Sequence, residues 1–132
     1  MVIRILLGIL GLFHLVNGAA MLFAPESWYA AVPGVAMTGP MNHHFIQDIG
    51  LAYLASGAGL MLGAGSGRIA ATLALAGATW PALHALLHVW GWIAHGIPRD
   101  ANAFVSEAVG VVALAALGVL FAWLRARDEG VV

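Results

Sequence analysis

The chain has no cysteine and no lysine, and its only cationic side chains are five arginines set against six carboxylates. The lack of thiols excludes disulfides, thiolate metal sites and redox-active cysteines. Charged residues make up 8% of the 132 positions, whereas a soluble domain carries about a quarter. So few charges cannot clothe a water-facing surface, and no basic stretch is available to hold nucleic acid.

What fills the space is hydrocarbon. Hydrophobic residues are 62% of the chain and the mean hydropathy is +0.95, values that belong to an integral membrane protein. Four apolar stretches stand out, at 3–24, 41–63, 69–95 and 101–124. Each reaches the roughly 20 residues that a helix rising about 1.5 Å per residue needs to cross a bilayer core. Short Gly- and Pro-bearing connections separate them, apart from a longer outer loop over 25–40. The expectation is a single all-α domain, an antiparallel bundle of four transmembrane helices.

Arginine placement sets the orientation. Arg4, Arg68, Arg125 and Arg127 fall on one side of a chain that crosses four times, and Arg99 alone on the other, so both termini are expected in the cytoplasm. The first stretch has features of a secretory leader, with Arg4, an apolar run and Gly18-Ala19-Ala20. It is read as a retained span because the run continues past the small residues and carries His14 and Asn17. Gly59, Gly63 and Gly67, with Ala52, Ala55 and Ser56, form a smooth face that lets helix backbones approach. Trp28, Tyr29, Trp90, Trp92 and Trp123 are read as interfacial belt residues.

Polar residues inside such spans are costly and mark function. Counted inward at about 1.5 Å per residue, Asn17, Asp48, His88 and Glu107 each lie roughly 10 Å below the outer boundary, one from each span. His14 and His84 lie roughly 15 Å down and His44 roughly 5 Å down. His44 and Asp48 are four residues apart, as are His84 and His88, so each pair shares a helix face. Pro81, three residues before His84, removes the hydrogen bond to the Gly77 carbonyl and predicts a loosened turn beside the histidines.

Imidazole and carboxylate together suggest a metal centre of iron, copper or zinc. His84, His88 and Asp48 are the first candidate ligands, with Glu107 and His44 next. Glu107 and His14 are candidate acid–base groups, and Asn17 a hydrogen-bond partner that orients a ligand. Three other chemistries stay open: hydrolysis at zinc, haem held by two histidines, and a proton or ion relay in a non-enzymatic subunit. His43 and His95 lie at the aqueous boundary, and Asp100 or Asn102 caps the fourth helix. The Pro25–Pro40 loop, bearing Trp28, Tyr29 and Val32, is expected either to lie among headgroups or to fold over the outer mouth as an apolar lid that admits a lipophilic substrate from the side.

The run Asn17-Gly18, Pro25, Trp28-Tyr29, Pro33-Gly34, then Thr38 to Phe45 with Asp48-Ile49-Gly50, resembles small four-span bacterial inner-membrane proteins of the DoxX-like group. The likeness covers mainly the first two spans. It implies a four-helix bundle in the bacterial cytoplasmic membrane and, for some relatives, association with a redox partner, and it transfers no catalytic residue; the arginine count and the depth of the polar residues put the site towards the periplasmic side. The resulting expectation is a membrane-embedded metalloenzyme, an oxidoreductase more than a hydrolase, acting on a lipophilic small molecule as a homo-oligomer or with a partner subunit.

Overall fold

The computed structural model describes residues 1–132, all helix and turn, with no strand. Helices α1 (Val2–Phe23), α3 (His43–Gly63) and α4 (Gly67–His95) are continuous. The fourth long helix, Ala101–Asp128, is built of α5 (Ala101–Val105), a π-helical segment (Ser106–Ala113) and α6 (Leu114–Asp128). These four helices are long and apolar enough to cross a membrane, so the chain has the form of a multi-pass membrane protein.

Local chemistry places the ends. Asn42 caps α3 by accepting from the Phe45 N–H at 3.1 Å. Asp100, rather than Asn102, caps α5 by accepting from the Ala103 N–H at 2.8 Å. The outer loop is more ordered than a plain connection. Pro25 opens a short helix, α2 (Pro25–Ala31), where its missing N–H has no cost, and a 3-10 turn follows at Val35–Met37 after Gly34 at φ 88°.

Glycine sets the packing. Gly11 and Gly18 on α1 are seven residues apart, as are Gly50 and Gly57 on α3. A Cβ on Gly18 would stand 2.6 Å from the Gly50 oxygen, and one on Gly11 would stand 2.9 Å from the Gly57 oxygen. Residue numbers rise along α1 as they fall along α3. Backbones this close gain dispersion contacts where lipid provides no hydrophobic drive between helices. Gly59 and Gly63 act in the same way against Gly77 and Ala74 of α4. Gly67 does not continue that face: it opens α4 at φ 86°, outside α3.

The interior divides by depth. Leu7, Leu10, Leu60, Ala74, Ala78 and Ala122 make an apolar core in the half nearer the termini. Towards the other end Met21, Ile46 and Tyr53 pack with Trp28, Tyr29 and Trp80. Only 27 of 132 residues are buried, and Ile5, Ile9, Leu12, Val16, Leu51, Leu83 and Leu87 stay exposed. Such a girdle is stable when lipid, not water, covers it.

The C-terminal tail locks the α3–α4 turn. Buried Arg125 donates from one terminal nitrogen to the Gly65 carbonyl at 3.1 Å and to the Glu129 carboxylate at 2.9 Å. Glu129 also accepts from the Gly67 N–H at 3.4 Å, at the start of α4. These contacts carry α6 to Asp128, past Leu124 where the apolar run stops.

Candidate functional site

Two irregular backbone segments face one another in the half of the bundle away from the termini. Pro81, inside α4, has no N–H to give the Gly77 carbonyl. Ser56 of α3 supplies the missing donor: its hydroxyl donates to that carbonyl, and the bond is buried. One helical turn further on, α4 presents His84 and then His88. Opposite His88, the fourth long helix widens into its π segment, a form that recurs at functional sites.

Glu107 stands in the first turn of that segment. His88 Nδ1 lies 3.2 Å from Glu107 Oε2, and Trp92 Nε1 donates to the same oxygen at 2.7 Å. The side chains of His88 and Glu107 are 24% and 22% exposed. Trp92 is the hydrogen-bond donor to Oε2 and His88 lies beside it, while Oε1 has no hydrogen-bond partner within the chain, and neither does His88 Nε2. Among fully buried side-chain polar atoms only Arg125 Nε is without a partner, so Glu107 Oε1 and His88 Nε2 are not fully enclosed.

From His88 a row of rings crosses the bundle. The His84 and His88 ring centroids are 4.8 Å apart, edge to face. His84 stacks on Trp80 at 4.9 Å with planes 13° apart. Tyr53 of α3 meets Trp80 at 4.8 Å and His84 at 6.4 Å, and His14 of α1 meets Tyr53 at 5.4 Å. His14 is buried, with Nδ1 2.8 Å from the Leu10 carbonyl, which makes that nitrogen the protonated one. Four ionisable side chains, His14, Tyr53, His84 and His88, thus adjoin in series and end on Glu107.

The expected metal ligands are not gathered. No three His, Cys, Asp or Glu side chains stand close enough together to hold a metal ion. His44 and Asp48 lie 3.6 Å apart on the outward face of α3, with side chains 88% and 56% exposed. The same helix turns Ile46, Gly50, Tyr53 and Gly57 inward, a face fixed by the glycine contacts with α1, and that rotation carries Asp48 away from His84 and His88. Asn17 is also engaged elsewhere: its side-chain oxygen accepts from Trp28 Nε1 at 2.8 Å and fastens α2 onto α1. Tyr29 donates to the Gly39 carbonyl at 2.7 Å, and Gly34 faces Ala103, so the loop stretches across the outer ends of the helices.

Trp92, expected in the interfacial belt, is a donor to Glu107. Tyr53 and Trp80 were not singled out by the sequence. A signal existed for Tyr53: it lies three residues after Gly50 and four before Gly57, hence on the face that those glycines press against α1. His43 pairs with Glu26 at 3.2 Å at the end of the bundle away from the termini, and Arg127 stacks 5.0 Å from the Trp123 ring centroid at the opposite end.

No protein-family model, curated protein or solved structure matches the chain.

Proposed function

We propose that this protein is an antiparallel four-span protein of a bacterial cytoplasmic membrane, both termini cytoplasmic, whose outer half binds a lipophilic small molecule and exchanges a proton with it through His88 and Glu107. The observation that carries this reading is Glu107 Oε2, bonded by Trp92 Nε1 and faced by His88 Nδ1 at 3.2 Å, while Oε1 and His88 Nε2 have no partner in the chain. An ionisable pair at membrane depth costs several kcal/mol unless neutralised or used. A carboxylate fixed by one oxygen and free at the other can accept a ligand hydroxyl or N–H. An imidazole beside it can take up or return the proton.

The surroundings support entry from the side. α6 packs on both α1 and α4, whereas the π segment packs chiefly on α4. The π segment thus lacks the α1 neighbour that α6 has, which agrees with the partial exposure of the pair. They also argue against a channel. Below the ring row the apolar core of Leu7, Leu10, Leu60, Ala74, Ala78 and Ala122 carries no proton acceptor, so the row ends inside the bundle.

Organic extraction of the protein purified in mild detergent, followed by mass spectrometry, tests the proposal. Wild type is expected to retain a lipophilic species at close to one per chain, and Glu107→Gln and His88→Ala to lose it while remaining folded. Identical extracts from all three would sink the assignment. Reconstituted vesicles are expected to show no proton leak above protein-free controls.

A further inference from the structure

The opposite end of the bundle holds an independent feature. Four of the five arginines, Arg4, Arg68, Arg125 and Arg127, gather there against the carboxylates Asp128 and Glu129. Two are committed to the fold: Arg125 is buried on Gly65 and Glu129, and Arg127 lies over Trp123. Arg4 differs. It is exposed, yet its Nε donates to the Ala64 carbonyl at 2.7 Å, which fixes the guanidinium plane and leaves both terminal nitrogens without a partner in the chain.

Arg4 lines an open notch of 610 Å³ together with Met1, Ile5 and Ala64. The notch continues onto an exposed apolar strip, because Ile5, Ile9, Leu12 and Val16 recur at helical spacing on α1 and are 55–61% exposed. Arg68 begins α4 across the same turn, near Gly130, and its guanidinium makes no hydrogen bond to the chain. Glu129 is already held by Arg125 and the Gly67 N–H and also lies in the field of Arg4, and with Asp128 it leaves two acidic side chains against four arginines. The end of the bundle is thus left with a surplus of positive charge above a hydrocarbon track, with Arg4 fixed there by its bond to Ala64.

We propose that this notch binds an anionic phospholipid, its phosphodiester on the terminal nitrogens of Arg4 in the field of Arg68 and one acyl chain along Ile5, Ile9 and Leu12. The chemistry matches at both ends. A guanidinium offers paired donors to two phosphate oxygens, and a pre-oriented one loses little rotamer freedom on binding. A zwitterionic headgroup brings its own cation and gains less from the surplus charge. Free phosphate would meet the same donors without the contribution of the strip.

Native mass spectrometry of the full-length protein in detergent decides the matter, with phosphatidylglycerol, phosphatidylcholine or inorganic phosphate supplied in turn. Wild type is expected to retain one phosphatidylglycerol through activation that strips phosphatidylcholine, and excess inorganic phosphate is expected not to displace it. Retention should fall roughly fivefold for each of Arg4→Gln and Arg68→Gln. Arg127→Gln should leave it unchanged. Equal retention of both lipids overturns the proposal, as does wild-type retention in Arg4→Gln/Arg68→Gln. Full displacement by inorganic phosphate would reassign the notch to the free anion and overturn it as a lipid site. Should Arg4→Gln fail to fold for want of its bond to Ala64, Arg68→Gln, which removes no hydrogen bond, carries the same test.

Discussion

Ser56 of α3 donates its hydroxyl hydrogen bond to Gly77 of α4, the residue whose carbonyl Pro81 leaves without a helical partner. The contact requires that α3 and α4 approach at Gly59 and Gly77, where a Cβ would come within 2.7 Å of the facing backbone. Kink, polar bridge and small-residue contact are therefore one device. It fixes the turn of α4 from which His84 and His88 project.

Replacing Ser56 with Ala should strand the Gly77 carbonyl where water is scarce. The expected loss is about 0.5–2 kcal/mol, the range of interhelical hydrogen bonds in membranes. Pro81→Ala restores the helical donor, so in that background Ser56→Ala should cost markedly less. Unfolding of the four proteins of this double-mutant cycle in mixed micelles measures the coupling. Additive losses would show that the hydroxyl is not compensating for the proline.

The glycine pairs make a sharper contrast. Gly18→Ala would place a Cβ 2.6 Å from the Gly50 oxygen, with backbone on both sides and nowhere for it to move. Overpacking of this kind costs about 1–3 kcal/mol, and α1 and α3 should separate measurably. Gly91→Ala meets nothing within 4 Å and exchanges glycine for a better helix former, so it should be neutral or stabilising. Thermal unfolding in detergent compares them. Equal effects at the two positions would mean that the α1–α3 contact is looser than the packing described here.

How much of this was legible beforehand depends on which coordinate of a helix is asked for. Depth along the axis follows from counting residues, and the count placed His88 and Glu107 at one level, where the structure joins them. Rotation about the axis does not follow from hydropathy when a helix is apolar all round. Asp48 and His44 were expected inward with His84, but the Gly50–Gly57 face turned them out. The π segment was equally silent, since Ser106–Ala113 contains no proline and its single glycine, Gly110, does not stand out from the glycines inside the regular helices. Pro81 did announce itself, because the loss of an N–H is a covalent fact.

Glu129 gives the tail a pH dependence with a definite sign. The hydrogen bond from Arg125, helped by the Gly67 N–H and by nearby Arg4, lowers its carboxyl below the ordinary value of 4.5. A group whose folded value is depressed stabilises the fold above its unfolded value and loses that contribution as pH falls through the folded one. The turn clasp should accordingly be intact at neutral pH and open progressively below about pH 4.5. Amide exchange at Gly67 and Arg68 follows the opening. Glu129→Gln should flatten its pH dependence, and an unchanged acid profile in that variant would assign it to another carboxylate.

Metal content separates the proton-exchange reading from the metalloenzyme that the histidine and carboxylate spacing first suggested. His88 and Glu107 supply two donors, and no third His, Cys, Asp or Glu joins them. Sites that retain zinc or iron through purification use at least three protein ligands in a defined geometry. Protein purified without an affinity tag should therefore hold well under one metal per chain, lack visible absorption, and show the same extracted lipophile before and after chelation. If one iron, copper or zinc per chain survived purification and disappeared in His84→Ala, His88→Ala and Asp48→Ala alike, α3 would have to rotate by a large angle to bring Asp48 inward. The Gly18–Gly50 contact forbids that rotation in the structure described here, so such a result would overturn the packing of α1 on α3 together with the function built upon it.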